Sequence, residues 1–150
     1  MNELQMQIKE LTDRAELIEL IYRLGAALDE KRPEDLRTIY TDQAVFEFSS
    51  KPDTDDLESA IDNAKMMGKH FARTHHVMTN PIVELDGDTA TVRANLIATH
   101  VYRDDEPGLH YEVGIVYHFL SVRTAQGWRF SRVKLKQIWS NGHWDALQRA

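Results

Sequence analysis

The chain contains no cysteine. This absence excludes disulfide bonds, thiolate metal sites and cysteine nucleophiles, and it fits a protein of the reducing cytoplasm. No apolar run approaches the ~20 residues of a membrane span, and the first residues lack the apolar core of a signal peptide. We therefore expect a soluble, cytoplasmic protein without a membrane partner.

Positive charge is in the minority, with 18 Lys and Arg against 24 Asp and Glu and a formal net charge of −6. Nucleic acids are bound by basic surfaces, so we expect no nucleic-acid partner. A Gly-rich phosphate loop and a Gly-x-Ser-x-Gly turn are missing as well. The chain has 150 residues, of which 42% are hydrophobic. We predict a single domain over residues 1–150 with its own core.

The hydrophobic pattern changes from a helical period to strand alternation near Thr74. Before this point it predicts a long helix that begins at Asp13, or as early as Glu3, and ends before Pro33. Further elements are predicted as helices at roughly 33–40 and 54–70 and strands at roughly 44–48, 74–85, 89–103, 110–123 and 127–140. Helices followed by a strand meander indicate an α+β protein whose helices pack on one face of a curved antiparallel sheet.

Asp29 stands at the end of the long predicted helix and at the edge of its apolar face. Gly25 lies one turn earlier on the same face. A glycine inside a helix costs ~1 kcal/mol relative to alanine, and here it would open space beneath Asp29. Local sequence alone favours the competing interpretation, a solvated acid beside Glu30 and Lys31.

Three histidines, His75, His76 and His100, carry the remaining candidates for proton transfer. Adjacent residues on a strand point to opposite faces, so only one of His75 and His76 can face a given pocket. The competing interpretation is a polar residue on a solvated sheet face. A metal site is the weaker alternative, because His-x-His, His-Glu-x-x-His and cysteine patterns are missing. We expect neither a metal nor a cofactor.

The turn at Asp86-Gly87-Asp88 decides which histidine accompanies His100. A two-residue loop at 86–87 pairs His75 with Ala98 and places His100 on the face of His75. A three-residue loop at 86–88 instead pairs His76 with Ala98, so that His100 lies diagonally next to His76. A bulge at Pro81 would exchange the two outcomes. The residues alone leave the choice open.

Aromatic residues supply candidates for substrate binding. All five tyrosines could donate to a substrate carbonyl, although core positions are the competing interpretation for most of them. We predict assistance from Tyr22 or Tyr102. Trp139 is expected in the core or the cavity wall, and His118 on the third long strand could line a cavity.

The chain resembles the SnoaL-like domains of the nuclear-transport-factor-2-like superfamily. The resemblance begins with Asp-Arg-Ala-Glu-Leu-Ile-Glu-Leu-Ile-Tyr-Arg, Ala-Leu-Asp29 and Asp-Leu-Arg-Thr-Ile-Tyr-Thr-Asp-Gln-Ala. It continues through Arg-Thr-His-His76, Thr-His100-Val-Tyr-Arg and Gly-Trp128-Arg-Phe130. Within the superfamily the chain is similar to scytalone dehydratases and, more loosely, to hexachlorocyclohexane dehydrochlorinases.

This resemblance implies a cone-shaped α+β barrel whose helices close one end of the sheet over an apolar pocket. It also implies that Asp29, His76 and His100 are catalytic, which selects His76 over His75 and with it the three-residue turn. Leu28 and Phe48 stand where scytalone dehydratases have tyrosines that assist at the substrate carbonyl. His118 falls near the position of a polar asparagine.

The resulting expectation is a lyase, dehydratase-like, or an isomerase that acts on a small, apolar, cyclic substrate. His76 would be the general base, Asp29 would hold its tautomer, and His100 would donate to a developing enolate or protonate a leaving hydroxyl. One alternative is a non-catalytic ligand-binding or assembly module. Another is an epoxide hydrolase, which needs a second carboxylate from Glu47, Glu84 or Glu112. We also expect a homo-oligomer, a dimer or trimer formed through the outer sheet face.

Overall fold

The computed structural model describes residues 1–142. The helices are α1 (Glu3–Asp29), a 3₁₀ helix (Pro33–Thr38) and α2 (Leu57–His70). The strands are β1 (Tyr40–Phe48), β2 (Thr54–Asp55), β3 (Arg73–Asp86), β4 (Thr89–Val101), β5 (His110–Thr124) and β6 (Gly127–Asn141). The α+β class is confirmed. In this part of the chain, neither α-helix combines the length and the apolar composition that a membrane crossing requires.

The six strands form one sheet in the order β2-β1-β6-β5-β4-β3. β1 runs parallel to β6, and every other neighbouring pair is antiparallel. Within residues 1–142, β2 and β3 are the two edges and do not pair with each other. The sheet therefore curves around the helices without closing into a barrel, which corrects the expected barrel. α1 packs along β3, the edge strand opposite β2.

Helix α1 begins at Glu3, not at Asp13. Asn2 accepts a hydrogen bond from the backbone of Gln5, and the Gln5 side chain accepts one from the backbone of Asn2, which is a capping box. Asp13 lies inside the helix and is only 5% exposed. Its carboxylate accepts hydrogen bonds from Arg123 (2.8 Å) and from the indole of Trp128 (3.0 Å). This network joins α1 to β5 and β6.

The connection between β3 and β4 is a two-residue turn at Gly87 and Asp88, because Asp86 is paired with Thr89. Gly87 has a φ of +61°, a conformation that glycine adopts without strain. The predicted three-residue turn at 86–88 is therefore wrong.

A bulge in β3 restores the predicted histidine register. Thr79 is paired with Asn95, but Ile82 is paired with Arg93, so β3 contains one residue more than β4 between these pairs. The extra residue lies at Asn80 and Pro81, and Asn80 has a φ of +54°. Pro81 cannot donate a ladder hydrogen bond, and a bulge is a position that tolerates this.

Beyond this bulge, His76 is paired with Ala98 and Thr74 with His100. His76 and His100 consequently share the inner face of the sheet as diagonal neighbours, as predicted. His75 is exposed on the opposite face.

Gly25 lets α1 approach β3 closely. A Cβ atom on Gly25 would lie 3.0 Å from Cγ of Met78 and 3.5 Å from the backbone oxygen of His76. The missing side chain thus fixes the separation of helix and strand, and Asp29, one turn later on the same face, comes within reach of β3.

Candidate active site

Asp29 and His76 form a hydrogen-bonded pair between the end of α1 and β3. Oδ1 of Asp29 lies 2.6 Å from Nδ1 of His76. The backbone N–H of His76 also donates to the carboxylate, at 2.9 Å from Oδ2 and 3.1 Å from Oδ1, and the Thr74 hydroxyl donates to Oδ1 at 3.0 Å. A carboxylate accepts hydrogen bonds only, so Nδ1 of His76 carries the proton and Nε2 is the basic nitrogen of the neutral ring.

The Asp29 carboxylate is held in its ionised form. Burial raises its pKa, but the hydrogen bonds from the side chain and backbone of His76 and from Thr74 outweigh burial, and the pKa lies below its usual range. Side-chain exposure is 22% for Asp29 and 10% for His76. The pair is thus largely removed from water. Electrostatic interactions are stronger in such a buried environment than in water.

His100 stands beside this pair as a second, more deeply buried imidazole. Its ring centroid is 5.7 Å from that of His76 and 4.9 Å from that of Phe71. Burial and the neighbouring His76 lower the pKa of His100 to about 4. His100 is therefore neutral at pH 7. Its Nδ1 lies 3.4 Å from the backbone oxygen of Tyr111, a long contact in which Nδ1 must be the donor.

His76 and His100 both open onto a cavity of about 480 Å³ between the sheet and the helices. Much of its wall is aliphatic or aromatic, and these residues include Leu24, Leu28, Leu36, Phe46, Phe48, Met67, Leu96, Val113, Ile115, Val133 and Leu135. Cavities of ~300–1,000 Å³ with apolar walls and a few polar groups are typical of small-molecule sites. Asp29 does not line this cavity; it lies behind His76.

Lys31 adds a positive charge to the cavity wall. The backbone at Lys31 has a φ of +55°, and its Nζ donates to the backbone oxygen of Phe71 at 3.2 Å. The flanking residues Glu30 and Arg32 pair with each other at 2.9 Å. Sequence reasoning treated Lys31 only as a solvated neighbour of Asp29, because its turn towards the cavity depends on the left-handed backbone.

The structure brings together Asp29, His76 and His100 and adds Phe48 to the cavity wall. It does not bring the other predicted substrate contacts to this cavity. Tyr22 is 49% exposed on α1. The Tyr102 ring packs against Phe71 at 5.1 Å and is not part of the cavity wall described by residues 1–142.

His118 and Trp139 lie on the opposite face of the sheet. His118 alternates with the inward-facing Tyr117 and Phe119, so its side chain must point outward. Trp139 is 42% exposed, and its indole covers Gly114, where a Cβ atom would lie 2.1 Å from Nε1. Neither side chain can reach a ligand in the cavity, which corrects the expected contacts of both.

The outer face contains a second cavity of about 540 Å³. It is lined by charged groups, including Glu47, Glu84, Arg93 and Lys134, and contains neither residue of the pair. Across residues 1–142, no three His, Asp or Glu side chains are grouped as they would be around a metal ion.

This topology, with a ligand-sized cavity between helices and a curved sheet, defines the nuclear-transport-factor-2-like fold. The family model of the SnoaL-like domain matches residues 9–134. The chain belongs to the SnoaL-like domain family, and the resemblance seen in the sequence is confirmed.

Solved structures agree with this assignment. The Kfla4162 protein from Kribbella flavida is 34% identical with a TM-score of 0.81, and the match covers 94% of this chain and 99% of that one. A protein from Novosphingobium aromaticivorans, named as a proposed scytalone dehydratase, is 17% identical with a TM-score of 0.81 over 91% of both chains. The hexachlorocyclohexane dehydrochlorinase LinA-type3 from Novosphingobium barchaimii is 17% identical with a TM-score of 0.77, and covers 92% of this chain and 94% of that one. The last two similarities show the fold alone.

Proposed function

We propose that this protein is a cofactor-independent lyase with dehydratase-like chemistry, or an isomerase, that moves a proton on a small, apolar, cyclic substrate. The observation that carries the proposal is the 2.6 Å contact between Asp29 and His76 at the wall of an apolar cavity. The names of two proteins with the same fold, a dehydratase and a dehydrochlorinase, denote elimination reactions. Elimination is therefore the favoured reaction.

In this proposal Nε2 of His76 takes a proton from a carbon atom of the substrate. Asp29 holds the Nδ1–H tautomer and stabilises the imidazolium that forms, because its carboxylate stays ionised next to the ring. Acid–base catalysis by a positioned group contributes ~10²–10⁴-fold. The two side chains are largely buried, and burial strengthens the attraction between the imidazolium and Asp29.

The proton taken by His76 can leave with the departing group. In a dehydration, the C–H electron pair forms the new double bond, the C–O bond breaks, and the His76 imidazolium protonates the departing oxygen to give water. His100 is neutral at pH 7 because its pKa is about 4, so it carries no imidazolium proton to give to a departing group. Its role is thus that of a neutral imidazole that hydrogen-bonds the substrate beside His76.

Two other functions were expected as alternatives. An assembly module would have its cavity filled by side chains, whereas this cavity is open at about 480 Å³. A non-catalytic ligand-binding module would also have an open cavity, and the conversion experiment below separates it from an enzyme. An epoxide hydrolase needs a second carboxylate near Asp29. Glu47 and Glu84 line the cavity on the other face, and Glu112 lies near His110 and Asn141. Neither alternative is favoured by a specific observation.

Conversion of candidate substrates in D₂O tests the proposal. Small cyclic β-hydroxy ketones, cyclic ketones and chlorinated cyclohexanes are incubated with the protein, and NMR detects both elimination and deuterium incorporation at carbon. We expect conversion of at least one compound by the wild type and its loss in Asp29→Asn. If compounds that bind in the cavity are neither converted nor exchanged, the proposal is wrong.

We also infer self-association through the outer sheet face. Apolar side chains on this face are strongly exposed, among them Ile97 (44%) and Leu120 (47%). Sedimentation velocity is expected to show a dimer or trimer that Ile97→Glu dissociates. Leu11→Glu, on the exposed start of α1, is the control and should not dissociate it. A monomeric wild type would contradict this inference.

A further inference from the structure

Two tyrosines, Tyr40 and Tyr117, line the cavity of the Asp29–His76 pair. Only 3% of Tyr40 and 7% of Tyr117 is exposed. A buried hydroxyl normally has a hydrogen-bond partner, because burying it unpaired costs free energy. Within residues 1–142, however, neither tyrosine hydroxyl is hydrogen-bonded to a side chain or to the backbone.

These hydroxyls are not sealed inside the core. In the described part of the chain, the side-chain polar atoms that are closed off without a partner are Oδ1 of Asn95 and Oγ of Ser121. The hydroxyls of Tyr40 and Tyr117 differ from these two atoms because they open onto the cavity. A molecule bound in the cavity can therefore accept the hydrogen bonds that the protein leaves unused.

The sheet register places the tyrosines at the end of the cavity away from the catalytic pair. Tyr117 is paired with Ala94 of β4, whereas His76 is paired with Ala98 of the same strand. At ~3.4 Å per residue, these two positions lie about 14 Å apart along the strand. A ligand that contacts both the tyrosines and His76 must therefore extend along several residues of β4.

The chemistry of this end of the cavity suits an oxygen that accepts hydrogen bonds. Burial raises the pKa of both tyrosines above the usual value, and for Tyr40 the neighbouring Tyr117 adds to the shift. Both hydroxyls therefore keep their protons and act as donors. A carbonyl oxygen has two lone pairs and can accept from both. The surrounding wall, which includes Phe46 and Val133, is apolar.

We propose that Tyr40 and Tyr117 bind the carbonyl oxygen of a ketone and so determine the substrate specificity of this cavity. The two hydroxyls anchor the end of the ring system that does not react, and the other end is presented to Nε2 of His76. The reaction at His76 rests on the proposed function. Binding of the carbonyl oxygen by the two tyrosines does not.

Binding of a matched pair of probes tests the anchor. 2-Tetralone and tetralin have the same fused rings and differ in one carbonyl group, and their affinities are measured by calorimetry. We expect the wild type to prefer the ketone by about tenfold, as one or two hydrogen bonds allow. The double variant Tyr40→Phe/Tyr117→Phe should bind both compounds about equally. Tyr22→Phe, an exposed tyrosine outside the cavity, should keep the wild-type preference.

Infrared spectroscopy gives a second readout. The carbonyl stretching frequency of bound 2-tetralone should be lower in the wild type than in the double variant, because the hydroxyls polarise the carbonyl. Equal affinity of the wild type for ketone and hydrocarbon, an unchanged preference in the double variant, or failure of the ketone to bind would each overturn the proposal. Asp29→Asn should keep the preference for the ketone. Binding of the carbonyl by the tyrosines can therefore be tested even if His76 transfers no proton.

Discussion

Nδ1 of His76 lies 2.6 Å from Oδ1 of Asp29, although the two residues are 47 positions apart in the chain. The contact exists because Gly25 lets α1 lie against β3 and because the bulge at Asn80 and Pro81 turns His76 to the inner face. Helix packing and strand register together therefore create the proposed base.

Removal of the Thr74 hydroxyl should raise the pKa of Asp29. Thr74 is one of the donors that keep this pKa below its usual range, so Thr74→Val favours the protonated carboxyl. The pKa of Asp29 is lower in the folded protein than in the unfolded chain, so the carboxylate stabilises the fold above the unfolded pKa, and this stabilisation is lost as the pH falls towards the folded pKa. In the variant the loss starts at the same pH, but it should be smaller in total and complete at higher pH, because the folded pKa is higher. A ¹³C NMR titration of the Asp29 carboxyl measures the shift. Thr74→Ser keeps a hydroxyl and should behave as the wild type; identical titrations of Thr74→Val and wild type would contradict the assignment.

Protonation of His100 should limit stability in weak acid. The pKa of a histidine in the unfolded chain is 6.5, and that of His100 in the fold is about 4, so between these values the unfolded chain binds a proton that the folded chain does not. Stability is therefore fully present above pH 6.5 and decreases as the pH falls towards 4, by up to about 3 kcal/mol. Urea unfolding across this range measures the slope.

The variant His100→Gln should flatten this slope, whereas His75→Gln, at an exposed position, should leave it unchanged. A wild type whose free energy of unfolding is constant from pH 6.5 to 4 would show that His100 is not buried in its neutral form.

Loss of the Asp13 carboxylate should destabilise the fold. Asp13→Asn leaves Arg123 without its buried partner, and removing one member of a buried pair costs about 3–5 kcal/mol. Asp88, which binds the same guanidinium at 2.8 Å, is 81% exposed, so Asp88→Asn should cost less than about 1 kcal/mol. Urea unfolding at pH 7 compares the two variants. Equal losses would mean that burial of Asp13 does not strengthen its contacts.

A larger residue at Gly25 should separate α1 from β3. Gly25→Val crowds Met78 and the backbone of His76, and overpacking of this kind costs about 1–3 kcal/mol. Gly68→Ala is the control in α2: its Cβ would meet the Lys31 side chain at an ordinary 3.7 Å, and better helix propensity should stabilise the protein by up to about 1 kcal/mol. Thermal unfolding measures both. A Gly25→Val protein as stable as the wild type would show that the close approach of α1 to β3 does not require a glycine at this position.

Strand alternation and helical spacing predicted most of the fold. The four long strands differ from their predicted bounds by at most two residues at either end, because their alternation is long and regular. The turn prediction failed although His76 was correctly selected, since a single residue added at Asn80 and Pro81 has the same effect on register as one added to the turn. Sequence cannot assign that extra residue to either place when both contain turn-forming residues.

The faces of individual side chains were harder to predict. His118 stands between Tyr117 and Phe119, both of which are buried, and that alternation could have assigned it to the outer face. Tyr40 resembled other core tyrosines, because nothing local reveals that its hydroxyl opens onto a cavity formed by distant elements. Such contacts depend on sheet curvature, which the residue pattern does not specify.

The measurement that tests the central claim most directly compares His76→Gln with His75→Gln on the compound converted most rapidly in D₂O. Both variants remove one imidazole from adjacent positions of β3, but only His76 faces the cavity. We predict that kcat/KM falls by ~10²–10⁴-fold in His76→Gln and stays within about twofold of the wild type in His75→Gln. Near-normal turnover by a folded His76→Gln protein would contradict the assignment of His76 as the base.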